Sequence, residues 1–265
     1  MLPLNRIHLD TVDSTNSYAK RCAASLPARA LTVVTASEQT AGRGRGARAW
    51  SSGGADDIKV TFAFCVTPAQ VARAYMLSPL LCLTARRALS ASGVGGCQIK
   101  WPNDLLMGGA RKVGGILCEM EGPLPPAAAA AGGEGAFFVA LGLGLNVNSL
   151  PEALGVERPV WPLSTLRAEN GGAPLDAPAL LEAIVQQFAL ALPEFLAAGF
   201  APFQAEYAAG SVLLGKRVTL LEGGAAVEGV AVGVADDGRL LIQEDGAAAP
   251  RGFLSGEVSG IQLVH

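Results

Sequence analysis

Short apolar runs and longer stretches of helical spacing alternate along most of this chain. Residues 31–36 are β-branched and apolar and predict a buried strand. Residues 58–66 place Ile58, Val60, Phe62 and Phe64 on one side, the pattern of a half-buried strand. Residues 98–101, 113–120 and 137–145 also read as strands. Asp13 or Ser14 is placed to cap a short helix running to Ala23. Residues 69–90 are helical in pattern, with Pro79 either kinking that helix or starting a new one. Leu181, Ile184, Val185, Phe188, Leu192, Phe195 and Leu196 recur at spacings of three and four, as on one face of an amphipathic helix.

After Gly210 the pattern changes to short strands at 218–221, 227–234, 240–243 and 261–264. Glu222-Gly223-Gly224 and Asp236-Asp237-Gly238 read as hairpin turns between them. The division expected is a large domain over residues 1–208 and a small β-barrel over 209–265. Residues 123–135 and 170–178, rich in Pro, Gly and Ala, read as surface loops.

Composition narrows the function classes. Half of the 265 residues are hydrophobic and 16% are charged, so a sizeable core is available and wholesale disorder is not expected. A formal net charge of -3 argues against a general nucleic-acid binder. Cys22, Cys65, Cys82, Cys97 and Cys118 are scattered and form no C-x-x-C pair, which suits free thiols better than zinc or a disulfide framework. Neither a signal peptide nor a long unbroken apolar run is visible, so a cytoplasmic protein without a membrane span is expected.

The segment Gly42-Arg43-Gly44-Arg45-Gly46-Ala47-Arg48 carries the most chemistry. Glycines let successive N–H groups converge on an anion, and arginines add forked, permanently charged donors. It lacks the Gly-Lys-Ser/Thr of a Walker A loop. Alone, it reads equally as a phosphate-binding loop or as a solvated Arg-Gly turn. Three other segments have the same double character. Asp13-Ser14-Thr15-Asn16 is a helix cap or a set of polar groups for a ureido or amide ligand. Lys100-Trp101-Pro102-Asn103-Asp104 is a strand-ending turn or a ligand site at a strand end. Arg111-Lys112-Val113-Gly114-Gly115-Ile116-Leu117 is a charged loop and strand or a close-approach surface.

Taken in order, with Glu38-Gln39-Thr40-Ala41 before the loop, Trp50 after it and Gly142-Leu143-Gly144-Leu145-Asn146 later, these segments closely resemble the biotin–protein ligase family. The resemblance covers nearly the whole chain. It implies an α+β fold: a mixed β-sheet flanked by helices, like the class II synthetase-related biotin/lipoate ligase core, followed by a small SH3-like β-barrel. It also implies ATP-dependent formation of biotinyl-5'-AMP and transfer of biotin to a lysine of a biotin carboxyl carrier protein. ATP, biotin and Mg²⁺ are the implied small molecules. A monomer or weak homodimer without specific DNA binding is expected.

Carried over residue by residue, the resemblance places Ser14, Thr15, Asn16, Gln39, Gly42, Arg43, Gly44, Arg45, Lys112, Gly115 and Ile116 around biotin. Arg43, Arg45, Arg48, Trp50, Asn103, Lys112 and Asn146 would surround ATP and the adenylate, and Trp161 is a further candidate for the adenine wall. Lys112, Arg45 and Asp104 would carry the catalysis, with no metal ligand assigned. Two departures stand out. Family members often have Arg-Arg-Gly-Arg where this chain has Arg45-Gly46-Ala47-Arg48. Where Gly-Asn-Leu-Tyr is common, this chain has Ala55-Asp56-Asp57-Ile58-Lys59 after two glycines. A lipoate–protein ligase, the rival enzyme, typically carries an Arg-Arg, triple-Gly and His-Asp pattern that is not found here. A biotin-sensing repressor would need a helix-turn-helix domain ahead of Asp13.

Overall fold

Alternating apolar runs become two sheets in the structure, a computed structural model that describes residues 2–50, 54–124, 135–150, 152 and 161–263. The first sheet holds β1 (Leu4–Val12), β2 (Leu31–Gln39), β3 (Ile58–Val66), β4 (Cys97–Lys100), β5 (Asp104–Met107), β6 (Arg111–Glu121) and β7 (Phe137–Leu145). Their spatial order is β1-β2-β3-β7-β6-β5-β4. The β1–β2 pair is parallel and the others are antiparallel, so the sheet is mixed.

Helices cover both faces: α1 (Thr15–Arg21), α2 (Pro68–Val71), α3 (Leu77–Ala91), α4 (Leu166–Glu169), α5 (Ala177–Ala198) and α6 (Ala201–Gly210). The helix expected at 69–90 is divided. α2 ends at Val71, a 3-10 turn spans Ala74–Met76, and α3 starts at Leu77. Pro79 falls in the first turn of α3, where a missing N–H breaks no hydrogen bond.

Two periodicities build the main core. Leu180, Ile184, Val185, Phe188, Leu192 and Phe195 form the buried stripe of α5. The Phe188 ring lies 4.6 Å from that of Phe62 on β3. By length and a mean hydropathy of 1.4, α5 is apolar enough to cross a membrane, but this stripe belongs to the core. On the opposite sheet face, Ala19 of α1 packs with Val34, Ala63, Phe138 and Ala140. β3 is therefore buried on both faces rather than half-buried. β1, β5 and α6 were not expected from the sequence pattern.

The second sheet contains β8 (Lys216–Glu222), β9 (Ala225–Val234), β10 (Leu240–Gln243), β11 (Arg251–Phe253) and β12 (Glu257–Leu263). It is antiparallel in the order β11-β10-β9-β8-β12 and has the small SH3-like character expected. Gly223 and Gly224 join β8 to β9 with φ of 57° and 86°, the geometry of a two-residue type I′ hairpin. Tyr75 Oη donates to Asp237 O at 2.8 Å, and Gln204 Nε2 to Val234 O at 2.6 Å, tying the sheets together. Most of the loop expected at 123–135, and the end of the strand expected at 261–264, lie outside the described residues.

Candidate active site

The strand β7 explains where a cavity can form. Leu141, Leu143 and Leu145 enter the main core, so Gly142 and Gly144 face the other side. Register aligns Gly144 with Gly115 of β6 and Lys59 of β3. It aligns Gly142 with Leu117 and Thr61. These glycines make a trough in the sheet. A Cβ at Gly144 would collide with the Trp50 indole, and one at Gly142 with the Asn16 side-chain oxygen. Above the trough lies a cavity of about 670 Å³.

One wall of the cavity is polar and comes from the start of α1. Ser14 occupies the N-cap position, but neither its hydroxyl nor Asp13 caps the helix as expected. Gln39, from the end of β2, does so instead: its Oε1 accepts from Thr15 N at 2.8 Å and from Thr15 Oγ1 at 3.1 Å. The buried Thr61 hydroxyl is within reach of Thr15 Oγ1 at 2.8 Å and Asn16 Oδ1 at 2.6 Å. Asn16 Nδ2 donates to Leu117 O, Ala140 O and Glu119 Oε2 at 3.0–3.3 Å. This wall is held in one geometry by its own hydrogen bonds.

The glycine–arginine segment forms an arch over the cavity. Arg43 and Ala49 pair as an isolated bridge, Gly44 N donates to Arg48 O at 2.7 Å, and Trp50 N donates to Gly42 O at 2.9 Å. Gly46 adopts φ 64° and ψ 35°, a left-handed conformation that suits glycine. Arg45 reaches Asn103 Oδ1 and Gly256 O, both at 3.2 Å. Burial lowers the Arg45 pKa, while Asp104 and Glu257 partly oppose that shift. Arg48 pairs with Glu257 at 2.5 Å. Arg43 turns aside to Glu119 at 2.8 Å and Ser17 Oγ at 3.1 Å.

At the centre, Asp104 lies between two lysines. Lys112 Nζ is 2.7 Å from Asp104 Oδ1, and Lys100 Nζ is 3.6 Å from Oδ2. β5 and β6 bring Asp104 opposite Gly115, which clears space for the Lys112 side chain. Lys100 is almost fully buried, so desolvation lowers its pKa, and Asp104 offsets part of that effect. Lys112 lies over the Trp50 ring at 5.5 Å, and Lys100 over the Trp161 ring at 5.2 Å.

The second wall is aromatic. Trp50 and Trp161 line it with Asn146. Trp50 Nε1, Trp161 Nε1 and Asn146 Oδ1 are buried without a hydrogen-bond partner among the described residues. The chain beyond Asn146 is fixed by Asp57, whose carboxylate accepts from Val147 N at 2.8 Å and from Asn148 N and Ser149 N at 3.2 Å. Lys59 supports the same region by donating to the Ser37, Gly54 and Asp57 carbonyls. The unusual Asp57-Ile58-Lys59 run is thus a structural anchor.

Every residue expected at the site lines the cavity except Gly42, whose carbonyl instead holds the base of the arch. Ser14, Thr15, Asn16 and Gln39 sit on the polar side, with Gly115 and Ile116 in the floor. Asn103 Nδ2 is committed to Ile116 O at 2.8 Å. Sequence reasoning left Lys100, Thr61, Glu119, Gly142, Gly144 and Glu257 without assigned roles; the alternating Gly-Leu pattern was the available signal for the two glycines. No group of three His, Cys, Asp or Glu side chains converges on a metal-sized site among the described residues. The carboxylates lining the cavity, Asp104 and Glu257, hold protein cations.

The same framework recurs in known proteins. The Biotin/lipoate A/B protein ligase family profile matches residues 9–124, and the Biotin protein ligase C terminal domain profile matches residues 213–259. A biotin--[acetyl-CoA-carboxylase] ligase of Paracoccus denitrificans is 32% identical over 236 residues, covering 89% of this chain and 92% of that protein. The chain belongs to the biotin protein ligase family. Another relative in that family, the bifunctional ligase/repressor BirA of Escherichia coli (strain K12), is 27% identical, covering 95% of this chain and 72% of that protein. The structure of biotin protein ligase from Aquifex aeolicus in complex with biotin and ATP has a TM-score of 0.74 at 26% identity, covering 98% of this chain and 99% of that chain.

Proposed function

We propose that this ligase joins biotin to the α-phosphate of ATP, releases pyrophosphate, and passes the biotinyl group to a lysine of a biotin carboxyl carrier domain. The Lys112–Asp104–Lys100 centre between a polar and an aromatic wall is the observation that carries this reading. Biotin would lie along Thr15, Asn16 and Gln39, and the nucleotide against Trp50, Trp161 and Asn146.

In the first step the biotin carboxylate attacks the α-phosphate and the bond to pyrophosphate breaks. Both partners are anionic, so positive charge must lie where they meet. Lys112 and Arg45, both lining the cavity, supply it. When Lys112 turns to the phosphate, Asp104 keeps Lys100, so its carboxylate is not left as an unpaired buried charge. In the second step the acceptor amine attacks the anhydride carbonyl and AMP leaves. A lysine with its usual pKa of about 10.4 is mostly protonated at neutral pH. Asp104 positions that amine and accepts its proton. The arch limits hydrolysis of the anhydride by excluding water. Mg²⁺ enters this reading only with the nucleotide phosphates, because Asp104 and Glu257 are paired with protein cations. Free thiols suit action in the reducing cytoplasm.

The decisive experiment incubates the protein with ATP and biotin, or with ATP and lipoate, and measures pyrophosphate. Biotin-specific release, followed by a biotinyl mass gain on an acceptor domain, is expected. Lipoate-specific release would replace the reading. Asp104→Asn should slow transfer while sparing adenylation, and an unchanged transfer rate and pH profile would remove Asp104 from the second step.

A further inference from the structure

Glu119 does not line the cavity but touches two parts of the site. It projects from β6 in register with Ala140, one pair further along the cavity face than Leu117 and Gly142. Its Oε1 accepts from Lys20 Nζ at 2.9 Å. Its Oε2 accepts from Asn16 Nδ2 at 3.0 Å and from Arg43 Nη2 at 2.8 Å. Lys20 and Asn16 belong to α1 and its polar wall, whereas Arg43 belongs to the arch. One carboxylate oxygen therefore joins wall and arch.

The surroundings suit a contact that can release. Glu119 is 19% exposed and Arg43 41%, so their bond is shielded on one side and open to water on the other. Burial pulls the Glu119 carboxyl upward, but hydrogen bonds from Lys20 and Asn16 and the nearby positive charges bring it below its ordinary value. If Arg43 departs, Lys20 and Asn16 still satisfy the carboxylate, and Lys20 also reaches Glu121 at 3.5 Å. Opening the arch then costs one charge-assisted contact without orphaning a buried charge.

We propose that Glu119 is a positioning residue that couples the polar wall to the arch, so that a ligand seated against Asn16 favours docking of Arg43, and docking of Arg43 favours that ligand. The coupling is reciprocal because it is a free energy shared between two sites. It rests on the reading above, in which biotin fills the polar wall and the arch covers the activated intermediate.

Glu119→Gln removes the charge facing Arg43 and Lys20 while keeping an acceptor for Asn16. The KM for biotin should rise about tenfold and biotinyl-5'-AMP should escape about tenfold faster, with kcat for pyrophosphate release changing less than about threefold. In an Arg43→Gln background the same substitution should add little, because the coupling is already absent. Lys20→Gln, which loosens the carboxylate without removing it, should shift both readouts the same way by a smaller factor. A folded Glu119→Gln protein with wild-type biotin KM and escape rate would overturn the proposal, as would full additivity with Arg43→Gln. If Glu119→Gln fails to fold, Lys20→Gln decides by the same KM and escape criteria. Absence of biotin-dependent pyrophosphate release from the wild-type protein would instead overturn the functional reading on which the proposal rests.

Discussion

The two walls of the cavity differ in how their polar atoms are satisfied. On the polar wall Thr15, Asn16, Gln39 and Thr61 form a closed set of hydrogen bonds. On the aromatic wall Trp50 Nε1, Trp161 Nε1 and Asn146 Oδ1 are buried with no partner among the described residues. A closed set is rigid before a ligand arrives and selects by shape. An orphaned polar atom carries a desolvation cost of about 1–3 kcal/mol until a partner relieves it. The first wall should therefore contribute to the stability of the unliganded protein, and the second to ligand affinity.

The largest expected effect lies between the walls. Lys112→Ala should lower biotin-dependent pyrophosphate release about a thousandfold while thermal unfolding stays cooperative. Normal release would show that neither wall depends on this cation. The paired glycines separate the walls more directly. Gly144→Ala displaces the Trp50 indole and should reduce kcat/KM for ATP by about a hundredfold, with a smaller change for biotin. Gly142→Ala presses on Asn16 and should reverse that preference. Equal losses for both substrates in both variants would merge the walls into one functional unit.

Stability tests the contrast next. Thr61→Val removes a hydroxyl shared with Thr15 and Asn16 and should destabilise the unliganded protein by about 1–3 kcal/mol in denaturant unfolding. Trp161→Phe removes an N–H that has no partner among the described residues and should stay within about 0.5 kcal/mol of wild type without ligand. Calorimetry should nevertheless show nucleotide binding weakened about tenfold. The smallest effect is expected at the outer rim, where Arg21 forms an exposed pair with Asp13 and holds its carboxyl at about 2. Stability from such a depressed carboxyl is present above the unfolded value and is lost as pH falls through the folded one. Arg21→Ala should cost less than about 1 kcal/mol at neutral pH and flatten the acid loss that Asp13 contributes between about pH 4 and about pH 2. A larger cost would mean that the polar wall depends on its rim.

Strands with strong apolar periodicity were legible, and β3 and β7 fall where their patterns place them. β1 was not, because an edge strand alternates Leu4, Arg6, His8 and Asp10 with half-covered residues and exposes much of its length. β5 was missed because it starts at Asp104, the last residue of a motif that reads as a turn. Cavity residues with unusual local chemistry, such as the arginines of the arch and Lys112, were visible by type. Thr61 and Glu119 were not, since their meaning comes from register with Gly142 and Ala140. Lys100 was seen only as part of a motif; its burial against Asp104 and Trp161 requires the folded chain.

The contacts of Arg45 and Arg48 with the beginning of β12 bear on the order in which a chain is made. Arg45 meets Gly256 across a separation of 211 residues, and Arg48 meets Glu257 across 209. A ribosome delivers the arch long before it delivers β12. At roughly 5–20 residues per second, that interval is on the order of ten to forty seconds. Throughout it the first sheet can assemble, but the arch has no far anchor. A nascent chain thus lacks these two contacts, and the arch gains its hold on Gly256 and Glu257 only with the final strand of the second sheet.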